Sequence, residues 1–299
     1  MTRLAEIQGH IAGMDELQDI VGAMRSLAGM RVQEALRALD GIRRYAASMR
    51  AAIASALLLA PPAAEAGGAG RGSRALILFA AEHGFVGGFN ERLVEAAEAG
   101  LDDRDTLFVL GSRGAALLSE RHRRVDWWRP MATRLSGAPD SVNQLTAELY
   151  ARIARHELSR VEVLFARYRQ GSASSIERRT LLPLDMSALA TDRRRQAPLH
   201  NLPPQALLER LMAEYVFALL MEAAVESIGS ENAARFAAME SAHDNLSTKL
   251  GQLRQEARQA RQSEITSELL DLITGAEAIA PHPPVHASPA ASGRHDPAS

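Results

Sequence analysis

The sequence predicts a mixed fold, a long antiparallel coiled coil of N- and C-terminal helices with an inserted Rossmann-like α/β domain. Three observations carry this prediction. Residues 1–60 and 204–280 each hold an apolar stripe at steps of three and four, with no proline before Pro61 and none between Pro204 and Pro281. Between them, short apolar runs alternate with amphipathic stretches, the pattern of a largely parallel sheet whose strands are joined by helices. Aromatics make up only 4% of the 299 residues, and the abundance of Ala, Leu, Arg, Glu and Gln suits long packed helices better than a ring-rich compact core.

In the N-terminal helix, 1–60, the stripe is Leu4, Ile7, Ile11, Met14, Leu17, Val21, Met24 and Ala28, continued by Ile42, Tyr45, Met49 and Ile53. Only Gly9, Gly13, Gly22, Gly29 and Gly41 interrupt it. A continuous helix there would run about 85 Å. Pro61-Pro62 and the run GGAGRGS then break it, so 61–73 reads as a flexible linker. In the inserted domain, 74–203, strands are expected at 75–80, 106–111 and 161–168, with weaker candidates at 175–184 and in VDWW at 125–128. Helices are expected near 90–100, 112–122 and 140–158. The C-terminal helix, 204–280, opens with Leu208, Leu211, Tyr215 and Leu219. It then repeats in heptads through Phe236, Met239, His243, Leu246, Leu250, Leu253, Ala257 and Ala260, and unbroken it would approach about 110 Å. The tail, 281–299, has five prolines and three histidines with almost no apolar content, so it cannot bury enough surface to fold and is expected to be disordered.

Neither long helix is stable alone, because helical stability comes mostly from burying an apolar face. The two stripes therefore cover each other or a partner. A compact helical bundle would instead need turns inside each segment, for which Gly29 and Gly229 are the candidates. Charge favours the pairing: 204–280 carries twelve acidic and six basic residues, 1–60 six acidic and seven basic. Exposed ion pairs add only up to about 1 kcal/mol each.

The search for chemistry returns mostly exclusions. A formal charge of -2 argues against a dedicated nucleic-acid binder, and zero cysteines exclude disulfides, a thiol nucleophile and Cys-ligated metal. The only lysine, Lys249, has no glycine loop before it, so there is no phosphate-binding P-loop. No apolar run reaches the ~18–20 residues of a membrane span, and the N-terminus MTRLAEIQGH lacks the apolar stretch of a signal peptide. The chain is thus expected to be soluble, not exported and not inserted in a membrane. Gly84, Gly87 and Gly88 follow the first strand where a nucleotide loop would sit, but their spacing is wrong for a dinucleotide fingerprint and they read as backbone requirements. Glu82-His83 is not part of a zinc motif, and His282 and His286 are separated by prolines that forbid a helix. Asp102, Asp103 and Asp105 read as a solvated loop, and Arg193-Arg194-Arg195 as a solvent-facing patch. No catalytic residue, cofactor site or metal site is expected.

One stretch is specific. Residues 260–278, ARQSEITSELLDLITGAEA, present Ile265, Thr266, Glu268, Asp271, Gly275 and Ala276 at fixed spacing. This closely resembles the C-terminal signature of the gamma subunit of rotary F-type ATP synthases. Similar stretches occur in order at 18–31, 45–53, 84–90, 181–184 and 230–245, so the resemblance spans residues 1 to about 280. There are departures: the N-terminal helix carries Gly22, Arg25 and Arg31 where the family usually has several lysines, AEHGFVGG replaces the usual Asp-Arg-Gly-Leu-Cys-Gly-Gly, and the tail from Pro281 is an addition. They suggest a divergent, alternative ion-pumping branch.

The resemblance implies a central rotor shaft that couples ion flow through the membrane ring to conformational change in the catalytic subunits, as a non-catalytic subunit of the complex. Implied partners are the alpha and beta subunits of the catalytic hexamer, the epsilon subunit and the membrane c-ring, and the implied location is peripheral, at the cytoplasmic face of a bacterial inner membrane. The positions matching family contacts with beta are Arg261, Gln262, Thr266 and Glu268 on the C-terminal helix and Met24 and Arg25 on the N-terminal one. Arg254 and Arg258 extend the basic strip of the C-terminal helix. Two rivals remain: a stand-alone nucleotide-binding α/β enzyme with a helical dimerisation arm, and a non-rotary coiled-coil scaffold.

Overall fold

The computed structural model describes residues 3–59, 72–102, 104–169, 174–185 and 199–279. Most of the expected linker, the basic triplet 193–195 and the expected disordered tail lie outside the described residues. The chain divides into two compact units, Met1–Glu16 with Ser247–Ser299, and Leu17–Leu246.

Helix α1 spans Arg3–Ala56 and ends ahead of Pro61-Pro62. It is followed by β1 (Ser73–Phe79), α2 (Phe89–Glu98), β2 (Thr106–Leu110), α3 (Ser112–Glu120), β3 (Trp127–Arg129), α4 (Ala138–Ala154), β4 (Leu158–Arg167), β5 (Ser175–Leu182) and α5, which runs without a break over Pro204–Ile279. Every expected strand forms. The VDWW candidate is displaced towards its C-terminal side, because Asp126 accepts from the Leu107 amide and closes the turn before the strand begins. Both terminal segments are single helices, so the compact-bundle alternative fails.

In the larger unit the sheet order is β3-β2-β1-β4-β5, parallel except for the antiparallel hairpin partner β5. Period-2 alternation splits each central strand between two cores. One side, Leu76, Leu78, Leu107, Val109 and Leu164, packs on α2 and α3 through Phe89, Leu93, Val94 and Leu118. The other, Ile77, Phe79, Phe108, Val163 and Phe165, packs on α4 and on both long helices through Ala35, Leu39, Val216, Leu220 and Ala224. The coil is therefore part of the domain's own core. Gly111 starts α3 at φ 117, and a Cβ there would stand 2.4 Å from the carbonyl oxygen of Ala80, so only glycine fits this close crossing of the β1 and β2 ends.

The two long helices run antiparallel in this unit: Arg25 pairs with Glu240 at 2.9 Å and, further along α1, Arg43 with Glu222 at 3.1 Å. Small residues let them approach closely, a Cβ on Gly229 reaching within 3.3 Å of that of Ala35 and one on Gly29 meeting the ring of Phe236 at 3.5 Å. Not all of the expected stripe is covered, since Leu17 is 47% exposed. In the smaller unit Ile7, Leu250 and Leu253 are buried and Asp15 pairs with Arg254 at 3.0 Å.

Candidate functional site

Two regions compete as the place where this chain acts: the carboxyl ends of the sheet strands and the exposed surface of the long helices. In an open α/β sheet a ligand enters at the topological switch point, outside the carboxyl ends of the strands where the order reverses. Here that point lies between β1 and β4, since β1 connects to β2 on one side and β4 arrives on the other. α5 fills it. Ser227 Oγ donates to the carbonyl of Phe79 at the end of β1 (3.1 Å), and Ser230 Oγ to that of Ala166 near the end of β4 (2.9 Å). Glu226 accepts from the Tyr168 amide at 3.2 Å. The guanidinium of Arg235, held by Glu231 at 2.7 Å, donates to the carbonyls of His83 and Gly84 in the loop after β1. Of the loop's glycines, Gly87 meets a backbone need, at φ 54; beside the seated helix an open cavity of about 930 Å³ remains, lined by Val86, Gly87, Arg92, Tyr168 and Phe236 among others.

Around the same seat lies an ionic network. Glu222 and Glu226 on α5 face Arg43 of α1, Arg167 of β4 and Arg179 of β5, with Glu177 bridging the last two. Burial pushes the Glu226 carboxyl above the usual carboxylate range, and Glu222 adds to this; the Tyr168 amide, Arg43 and Arg167 offset only part of it. Burial likewise raises Glu231 despite Arg235.

Two further networks escaped the sequence reading. Glu82 accepts from the Ser112 amide and hydroxyl (3.0 and 2.7 Å) and from the Met131 amide (2.9 Å), tying together the segments after β1, β2 and β3. Burial alone would raise its pKa, yet those hydrogen bonds outweigh it and hold the carboxyl below the usual range. Asp105 is not solvated as expected: its side chain is buried against Arg74, because the loop folds back and the Asp102 amide also donates to it. Asp103 lies outside the described residues. Among those described, no group of three potential metal-ligating side chains occurs, and no helix is long and apolar enough to cross a membrane.

On the long helices, Arg261, Gln262, Thr266, Glu268, Asp271 and Gly275 all lie exposed on the last turns of α5, with Ile265, Leu269, Leu270, Leu272 and Ile273 exposed beside them. Ala276 lies on the same helix. Thr266 Oγ1 donates to the Gln262 carbonyl one turn back, so this hydroxyl is satisfied within the helix. Met24 and Arg25 belong to the other unit. Met24 is half-buried, and Arg25 faces Glu240 across the coil, not open solvent. Arg254 is likewise engaged, by Asp15.

Long terminal helices that pair with each other and seat an inserted α/β domain by its strand ends define a stalk-type subunit. The comparisons with known proteins agree. The family model described as ATP synthase matches residues 3–279. The chain belongs to the ATP synthase family, and its relatives are gamma chains. The ATP synthase gamma chain of Geotalea uraniireducens is 26% identical over 294 residues, covering 93% of this chain and 99% of its own length. That of Gluconobacter oxydans is also 26% identical, covering 93% and 100%. The fold is similar to the rotor of Euglena gracilis mitochondrial ATP synthase (TM-score 0.60, 13% identity, 88% of this chain and 98% of the other). It is also similar to the central stalk with c-ring of the Tetrahymena thermophila enzyme (TM-score 0.52, 17% identity, 75% and 99%).

Proposed function

We propose that this gamma chain works as a shaft without a catalytic site of its own, turned by the membrane c-ring and turning within a hexamer of alpha and beta subunits, with epsilon beside the inserted domain. The observation that carries the reading is how α5 is used: its middle is seated on the strand ends at the sheet's switch point, while its last turns are left uncovered. A rotor needs that division. Its asymmetric surface, presented in turn to three catalytic subunits, shifts their open and closed populations only through differential contacts. The exposed Arg261, Gln262, Thr266 and Glu268 suit such contacts, since charged side chains form the stronger hydrogen bonds. Met24 is assigned the same role on α1, and Arg25 shares it with its ion pair to Glu240. The working division is a helix 1–60, a linker 61–73, a domain 74–203, a helix 204–280 and a tail 281–299. The assigned place is peripheral, on the cytoplasmic face of a bacterial inner membrane.

The test is reconstitution. The chain is expected to co-purify with alpha, beta and epsilon subunits. Replacing Gln262 and Thr266 by alanine is expected to leave it folded while lowering the ions pumped per ATP several-fold, a loss of about 1–2 kcal/mol of contact energy. An unchanged pumping ratio overturns the assignment of these residues.

A further inference from the structure

Six polar side chains on α5, Glu226, Ser227, Ser230, Glu231, Asn232 and Arg235, fall within ten residues, and all six are buried. The preceding turns of the same helix hold to the sheet mainly by apolar contact, through Val216, Leu220, Ala223 and Ala224, with Glu222 alone adding a polar tie, to Arg179 of β5. The two kinds of attachment differ mechanically. Apolar burial is non-directional, so it resists separation far better than it resists rotation of a helix about its own axis. Hydrogen bonds weaken steeply with angle and distance, so they resist that rotation. Buried polar pairs add little net stability over a well-packed apolar alternative, which leaves directional rigidity as what this run contributes.

We propose that the run from Glu226 to Arg235 is the torque-bearing joint between the inserted domain and the coil, with Glu226 as its central positioning residue. This rests on the rotor reading. The bonds fan out to three separate places on the domain: β1 through Ser227, β4 through Ser230 and Glu226, and the loop after β1 through Arg235. Glu226 also reaches Arg43 on α1, so a single carboxylate links both strands of the coil to the sheet. Torque arriving at the domain then passes to both helices at one level.

The experiment uses the assembled complex, with a probe on the inserted domain and the catalytic head held at one dwell. Ser227→Ala with Ser230→Ala, and separately Glu226→Gln, are expected to raise the angular variance of the probe about two-fold, since directional bonds are removed at nearly constant volume. Unloaded ATP hydrolysis is expected to stay within about two-fold of the parent, because no catalytic group is touched. Leu220→Val, which weakens only the apolar seat, is expected to leave the variance unchanged. Arg43→Gln, whose side chain is 43% exposed and therefore easily accommodated, is the variant to use if the buried ones fail to assemble, and it too is expected to raise the variance. Unchanged variance in the polar variants, or an equal rise in Leu220→Val, overturns the joint. A parent chain that does not assemble or rotate overturns the rotor reading instead, before any variant is compared.

Discussion

Glu82 shows how one carboxylate can organise a domain without doing chemistry. It accepts three hydrogen bonds, from the Ser112 amide and hydroxyl and the Met131 amide, and so caps the first turn of α3 while pinning the segment after β3. Its folded-state pKa lies below the ordinary value of 4.5. The stability it contributes is therefore fully present above that ordinary value and is lost as the pH falls through the lowered one. Glu82→Gln keeps the shape but replaces one acceptor oxygen with a donor that faces the same amides. It is expected to cost about 1–2 kcal/mol at neutral pH, at the lower end because the group is partly exposed. The difference from the parent should shrink on acidification into the range where the parent carboxylate takes up its proton. Denaturant titrations at a series of pH values read both effects, and equal midpoints at neutral pH would rule the cap out. From the sequence, Glu82 was visible only as a neighbour of His83 that made no zinc motif. Its partners lie 30 and 49 residues away, and nothing in local pattern reports them.

At the level of elements, what was legible and what was not divide along a physical line. Periodicity reports which face is apolar, so the two long helices, the strands at 73–79, 106–110 and 158–167, and even the weak β5 could be read before any coordinates. It does not report what covers a face. The ESIGSENAAR stretch of α5 has the composition of a solvated surface, yet it is seated on strand ends that exist only once the sheet has formed. Leu17, Ile20, Leu27 and Met30 invert the case, as apolar residues of α1 that the coil leaves exposed. The same gap explains why the close approach of Gly229 and Ala35 is invisible in the sequence, where Gly229 reads only as a possible turn. In the structure Gly229 sits mid-helix, where its missing side chain makes room for Ala35. Ala35→Leu would therefore force a large side chain between the helices at a site only 1% exposed. Overpacking of this kind is expected to destabilise by about 1–3 kcal/mol, readable as a lower thermal midpoint of the isolated chain. A midpoint equal to the parent's would mean that the helices separate there at no cost.

For the whole molecule, the sequence signature and the structure point to the same part of the chain for different reasons. The spaced positions Ile265, Thr266, Glu268, Asp271 and Gly275 mark the family, while the coordinates add that Leu269, Leu270, Leu272 and Ile273 are exposed around them. A soluble chain does not ordinarily leave such a cluster of large apolar side chains uncovered, and one that does marks an interaction site. The rotor reading names the occupant, the inner wall of the catalytic hexamer. If so, these side chains are a liability in isolation and an asset in the complex. Leu269→Ser, Leu272→Ser and Ile273→Ser together are expected to reduce self-association of the purified chain while weakening its assembly with alpha and beta subunits by tenfold or more, since about 1.4 kcal/mol of lost burial already produces a tenfold change. Sedimentation of the chain alone reads the first effect and a reconstitution titration the second. The two losses together are what matter: a coil that merely scaffolds itself would lose self-association with no change in hexamer assembly, whereas a shaft must lose both.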